Sequence, residues 1–207
     1  MRVTIISGSP RSEKGATELI ANNLMMLLRG KAEASKIVAM NYVGRYDNVL
    51  ADVLVLVFPL RSGAVPTHVM QLMADMEIYC KKGNVGPVVY VIANSSLYEA
   101  ARCKNAIAIV RNWALRNGAS WGGAIGLGGC HVLNSSDKVP STCLKALVPF
   151  AKRIAAVKSK YSFETHKRDT KDIFINPSIP RFLYSLTTRN RWKQRASKNK
   201  VELGRAY

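Results

Sequence analysis

Continuous apolar runs and spaced apolar repeats alternate along this chain. Val3–Ile6, Val53–Phe58, Val88–Ile92 and a weaker run at Ala124–Leu127 are β-branched or small and bounded by turn-forming residues. Unbroken runs of this kind fit strands covered on both faces, as in a parallel sheet. A shorter candidate, Lys36–Met40, lies between the first and second long runs. The intervening segments repeat at three and four residues, which predicts helices over Thr17–Arg29, Pro66–Tyr79, Glu99–Asn117 and Ser141–Lys160. Gly30 and Gly118 supply stops, and Pro66 a start. Strand and helix thus alternate across residues 1–160, which predicts a doubly wound α/β sheet of five parallel strands with helices on both faces.

From Tyr161 the pattern turns polar and basic, broken by Pro177 and Pro180, and a last helix is predicted over Arg181–Lys198. The chain therefore divides into a domain at 1–160 and a basic helical extension at 161–207. Charge follows this division. Residues 1–150 hold 16 Lys and Arg against 9 Asp and Glu, a net of +7, and residues 151–207 hold 15 against 4, a net of +11, of a total of +18. Such a field concentrates anions without choosing among dinucleotides, nucleic acid and acidic membrane surfaces.

Cys80, Cys103, Cys130 and Cys143 are scattered, with no spacing for zinc or iron–sulfur ligation and no expected disulfide framework. No signal peptide is evident, and no apolar run approaches the roughly 20 residues that span a bilayer. A cytoplasmic protein without a metal is the expectation.

In doubly wound sheets, ligands bind past the carboxyl ends of the strands, near the point where strand order reverses. The notable loops fall there: Ser9–Thr17, Pro59–Pro66, Asn94–Tyr98 and Gly128–Leu133. The first joins an apolar strand directly to a helix and holds small, hydroxylated and cationic residues. A helix N-terminus with unpaired N–H donors and a favourable dipole suits a phosphate, which makes Ser9, Arg11, Ser12 and Thr17 candidate ligands. Neither a Gly-Lys-Ser/Thr phosphate loop nor a GxGxxG dinucleotide motif is present.

Gly8-Ser9-Pro10-Arg11 followed by Gly15-Ala16-Thr17 resembles the opening of the NAD(P)H-dependent FMN reductases of the flavodoxin-like superfamily. The resemblance extends over about residues 1–158. It includes Asp52–Leu60, Asn94–Tyr98, Trp121-Gly122-Gly123 and Gly126–Gly129. It implies strand order 2-1-3-4-5 and an FMN phosphate held by Ser9, Arg11, Ser12 and Thr17. Pro59, Leu60 and Arg61 would edge the isoalloxazine, with Asn94, Ser95 and Ser96 on its polar side. The flavin would do the redox chemistry, so no acid–base residue is required. The implied activity is an oxidoreductase that uses NAD(P)H to reduce flavin, a quinone or another small electrophile, as a homodimer.

Two departures bear on the site. Arg61 stands where many relatives carry an aromatic residue, and Ala16 replaces an asparagine. Arg61 either stabilises anionic reduced flavin or is a solvated loop residue beside an exposed flavin face. His68 and His131 lie at the ligand edge and suit capping as well as contact, His166 falls in the basic segment, and Cys130 reads as a buried thiol unless a helix terminus activates it. The tail fits docking on the domain or a second subunit, an anionic membrane, or nucleic acid. The alternatives to an enzyme are an electron carrier and a flavin-free module working through that tail.

Overall fold

The computed structural model describes residues 1–10, 15–39, 51–80, 86–130, 139–158 and 171–199. Six parallel strands form one sheet in the order β2-β1-β3-β4-β5-β6. They are β1 (Arg2–Ser7), β2 (Glu33–Val38), β3 (Val53–Pro59), β4 (Val88–Asn94), β5 (Ser120–Leu127) and β6 (Ile173–Ile175). The helices are α1 (Ala16–Leu28), α2 (Thr67–Cys80), α3 (Lys104–Arg116), α4 (Ser141–Ala155) and α5 (Arg181–Lys198), with a 3₁₀ turn at Ala100–Cys103 leading into α3.

The unbroken apolar runs are the central strands, and successive residues feed opposite cores. Val3, Ile5, Val53, Val55, Val57, Tyr90 and Ile92 face α1 and α4, meeting Ile20, Leu24, Leu147 and Phe150. Ile6, Leu54, Leu56, Phe58, Val89 and Val91 face α2 and α3, meeting Val69, Leu72, Met73, Ile107 and Trp113. Trp113 and Trp121 belong to this second core. The helix predicted over Ser141–Lys160 ends at Ala155, and the edge strand predicted at Lys36–Met40 lies earlier, at Glu33–Val38.

The predicted order 2-1-3-4-5 holds, but the sheet has a sixth strand, contributed by the basic segment. Glycines on and after β5 make room for it. A Cβ on Gly126 would lie 2.6 Å from the Phe174 ring, and one on Gly129 would lie 2.1 Å from Pro177. The Gly128 N–H donates to the Ile175 carbonyl at 2.9 Å, continuing the ladder past the strand ends. On the opposite face of β5, the Tyr90 ring occupies the space a Gly122 side chain would need, 2.4 Å from its Cβ position.

Candidate functional site

The strand order reverses between β1 and β3, so a crevice opens at their carboxyl ends. The loop after β1 is pinned from three sides. The Gly8 N–H donates to the Val57 carbonyl at 2.7 Å, and His68 Nε2 bonds the Gly8 carbonyl at 3.0 Å. A Cβ on Gly8 would lie 2.6 Å from Val69 Cγ2 and 2.8 Å from Phe58 Cβ, so only glycine lets the loop approach α2 this closely. Ser9 follows, buried. Helix α1 then starts after Gly15, whose φ of 124° suits glycine and which contributes no side-chain cap. A helix start at this edge, with a glycine at its N-cap, is a favourable place for an anion.

Thr17 and Asn94 are both buried and hydrogen-bond each other at 3.1 Å, joining the first turn of α1 to the end of β4. The Asn94 carbonyl accepts the Leu60 N–H at 2.8 Å. Asn94 therefore connects the loops after β1, β3 and β4. Pro59 and Leu60 are half-buried. Beyond them Arg61 and Ala64 exchange backbone hydrogen bonds of 3.0 and 2.9 Å around Ser62 (φ 48°) and Gly63 (φ 80°). Two central residues at positive φ make a tight hairpin turn. Arg61 stands exposed on it.

Ser95 is buried and ties the loops after β4 and β5. Its N–H donates to the Leu127 carbonyl at 2.7 Å, its carbonyl accepts the Cys130 N–H at 2.8 Å, and its hydroxyl accepts the Leu97 N–H at 3.0 Å. Ser96 is exposed, and its carbonyl accepts the Tyr184 hydroxyl from α5.

Of the predicted ligands, Ser9, Thr17, Pro59, Leu60, Arg61, Asn94, Ser95 and Ser96 come from the strand ends, the loops and the first turn of α1 at this edge. Arg11 and Ser12 lie outside the described residues, as do His131 and His166. His68 serves the loop backbone. Cys130 is buried, and burial pushes its thiol well above its ordinary pKa, with Cys143 and Cys103 adding to the effect. The same desolvation raises Cys103 to about 11 and also pushes the Cys143 thiol up. Neutral thiols of this kind are poor nucleophiles.

Sequence reasoning missed the polar group behind the loop after β1. The Ser7 hydroxyl donates to Glu18 Oε2 at 2.8 Å, and Lys36 pairs with Glu18 Oε1 while donating to Asn22 Oδ1 at 2.7 Å. Glu18 is buried in the first turn of α1, where a carboxylate suits the helix dipole but would repel a bound anion. Lys36 offsets that charge, so the cradle remains compatible with phosphate. Glu18 follows Thr17 directly, yet nothing in the spacing links it to Lys36 on β2. Among the described residues, no group of His, Cys, Asp and Glu is arranged to hold a metal ion.

No protein-family model and no curated protein matches the chain. Solved structures do. A flavodoxin of Streptococcus pneumoniae TIGR4 superposes with a TM-score of 0.55 at 18% identity, covering 75% of this chain and 99% of that one. FerB, a flavoenzyme NAD(P)H:(acceptor) oxidoreductase of Paracoccus denitrificans, gives 0.55 at 15%, covering 74% and 94%. The Trp repressor binding protein of Bacillus subtilis gives 0.53 at 15%, covering 77% and 99%. At these identities the likeness is one of fold, and the fold is flavodoxin-like.

Proposed function

We propose that this flavodoxin-fold chain binds FMN at the β1–β3–β4 edge and uses NAD(P)H to reduce flavin, a quinone or another small electrophile. The observation that carries the reading is the junction at Asn94, which joins the first turn of α1 to the loops after β3 and β4. A phosphate site and a ring site held by one hydrogen-bonded unit suit a ligand with a phosphate at one end and a planar polar ring at the other. The neighbours named as a flavodoxin and as an NAD(P)H oxidoreductase support the same ligand class.

Ser9, Arg11, Ser12, Thr17 and the first-turn N–H groups of α1 would hold the phosphate. Pro59, Leu60 and Arg61 would edge the ring, with Asn94, Ser95 and Ser96 opposite. Bound FMN would supply the two-electron redox chemistry. The chain's task is orientation. The His68–Gly8 bond fixes the loop backbone, Lys36 keeps the Glu18 charge from opposing the phosphate, and Arg61 offers a positive charge at the exposed end of the ring site. A homodimer in the cytoplasm belongs to the same proposal.

The absorbance spectrum of freshly purified protein, titrated with FMN and then given NADPH, tests the reading. Saturable flavin binding at micromolar FMN followed by bleaching on NADPH is expected. Absence of flavin binding in that range overturns it. The flavodoxin neighbours favour a second reading, a flavin-bound electron carrier, which predicts binding without reduction by NADPH; the +18 charge of the chain opposes it, since docking surfaces of that sign suit anionic partners.

A further inference from the structure

Helix α5 inverts the usual order of a surface helix. It leaves Phe182 (65% exposed), Leu183, Leu186 (50%) and Trp192 (61%) in solvent. Its first turns are anchored to the domain. Tyr184 is buried, its ring 5.6 Å edge-on from Tyr98, and Arg181 pairs with Glu99 at 2.9 Å. With 3.6 residues per turn, Phe182, Leu186, Arg189 and Lys193 fall on one side of the helix, opposite Tyr184. The helix holds Arg181, Arg189, Arg191, Lys193, Arg195 and Lys198 and no acidic residue. The sequence reading in which Phe182, Leu183, Leu186 and Trp192 bury themselves on their own domain does not hold: Tyr184 docks, and these four stay exposed.

Three occupants remain. A second copy meeting α5 symmetrically would set one basic helix against another, which repels. Nucleic acid would satisfy the cations, but its phosphate backbone offers little to Phe182, Leu183 and Leu186. An anionic bilayer satisfies both sets at once: apolar side chains enter the headgroup–acyl boundary, Trp192 suits that interface, and the cations meet lipid phosphates. We propose that α5 is a docking helix for an anionic membrane surface. Among the described residues no helix is long and apolar enough to cross a bilayer, so the contact is peripheral. This inference is independent of the flavin reading.

The full chain is mixed with vesicles of pure phosphatidylcholine and with vesicles in which a third of the lipid is phosphatidylglycerol, and read by sedimentation and tryptophan emission. Trp113 and Trp121 are buried, so a shift reports Trp192. Binding to the anionic vesicles only, with a blue shift and release by salt, is expected. Phe182→Ala with Leu186→Ala should weaken binding about tenfold or more, and Arg189→Gln with Lys193→Gln by a similar factor. The control pair Arg29→Gln with Lys31→Gln, exposed after α1, should change it less than threefold, roughly. Four results would overturn the proposal: no vesicle binding, an equal loss in the control pair, tighter binding to duplex DNA that ignores the Phe182 and Leu186 substitutions, or self-association that blue-shifts Trp192 without lipid.

Discussion

At the carboxyl edge of the sheet polar side chains are buried and paired, whereas on α5 apolar side chains are exposed beside cations. Ser7, Thr17, Glu18, Asn94 and Ser95 are each no more than 4% exposed, and all have hydrogen-bond partners. Phe182, Leu186 and Trp192 are at least half exposed. Burying a polar group without a partner costs on the order of 1–3 kcal/mol, so the first region holds together only as a completed set. These pairings pre-organise the described part of the edge, which suits the proposed ligand. The second region has no such internal completion. Exposed apolar surface beside like charges gains most from a partner that is itself both apolar and anionic.

The largest expected contrast comes from small changes made once in each region. A Cβ on Gly128 would sit 2.1 Å from the Tyr98 carbonyl oxygen and 2.8 Å from the Ala100 nitrogen, both backbone atoms that cannot swing aside. Gly128→Ala should therefore destabilise the protein by about 3 kcal/mol. Leu186→Ala removes a larger group yet should change stability by no more than about 0.5 kcal/mol, because half of Leu186 is exposed on the outer side of α5. Urea unfolding of both variants measures the difference. Equal costs would break the comparison, because Leu186 would then be part of the folded core.

Lys36→Met comes next. Glu18 has a 4% exposed side chain, and Lys36 is its cationic partner. Removing the ammonium leaves a buried carboxylate that, among the described residues, keeps the Ser7 hydroxyl as its partner, a loss of about 3 kcal/mol at neutral pH. Glu18→Gln with Lys36→Met removes both charges and should recover much of that stability. A double variant no better than the single one would show that packing of the lysine stem, and not charge, is what β2 contributes.

How far the sequence exposed these two regions follows from the range of the interactions. The central strands were legible because double-sided burial writes an unbroken apolar run, and α5 was read over Arg181–Lys198, the span it occupies. The ligand loops were legible because strand ends and turn residues mark them locally. What escaped depends on distant pairings. Thr17 and Asn94 were each singled out as ligands, but their mutual bond spans 77 positions. Ile173–Ile175 is too short to stand out in a basic segment, although the glycines at 126 and 129 carried its imprint: they leave room for Phe174 and Pro177. The exposure of Phe182 and Leu186 was not legible either, since an apolar stripe on a helix reads the same whether covered by its own domain or by something else.

The smallest effect concerns thiols, and it separates the regions by pH. Cys103 is buried beneath Gly126, and its thiol, raised to about 11 by desolvation, stays protonated in the folded protein where an unfolded cysteine ionises near 9. A raised pKa on a group that is neutral when protonated leaves stability intact below pH 9 and removes it as the pH climbs toward 11, because the unfolded chain alone releases the proton. From pH 8 to 10.5 the loss attributable to Cys103 should be about 2 kcal/mol. Other groups titrate in that range too, so the measure is the difference in urea-unfolding free energy between the parent and Cys103→Ala at the two pH values. Cys103→Ala should be less stable at pH 8, through lost packing, yet lose less on going to pH 10.5. Carrying Trp192→Phe in both proteins confines the fluorescence signal to Trp113 and Trp121, so that the readout follows the sheet and not the helix. Identical pH slopes would mean that the thiol is reached by solvent, and that the core beneath β5 and β6 is looser than its packing implies.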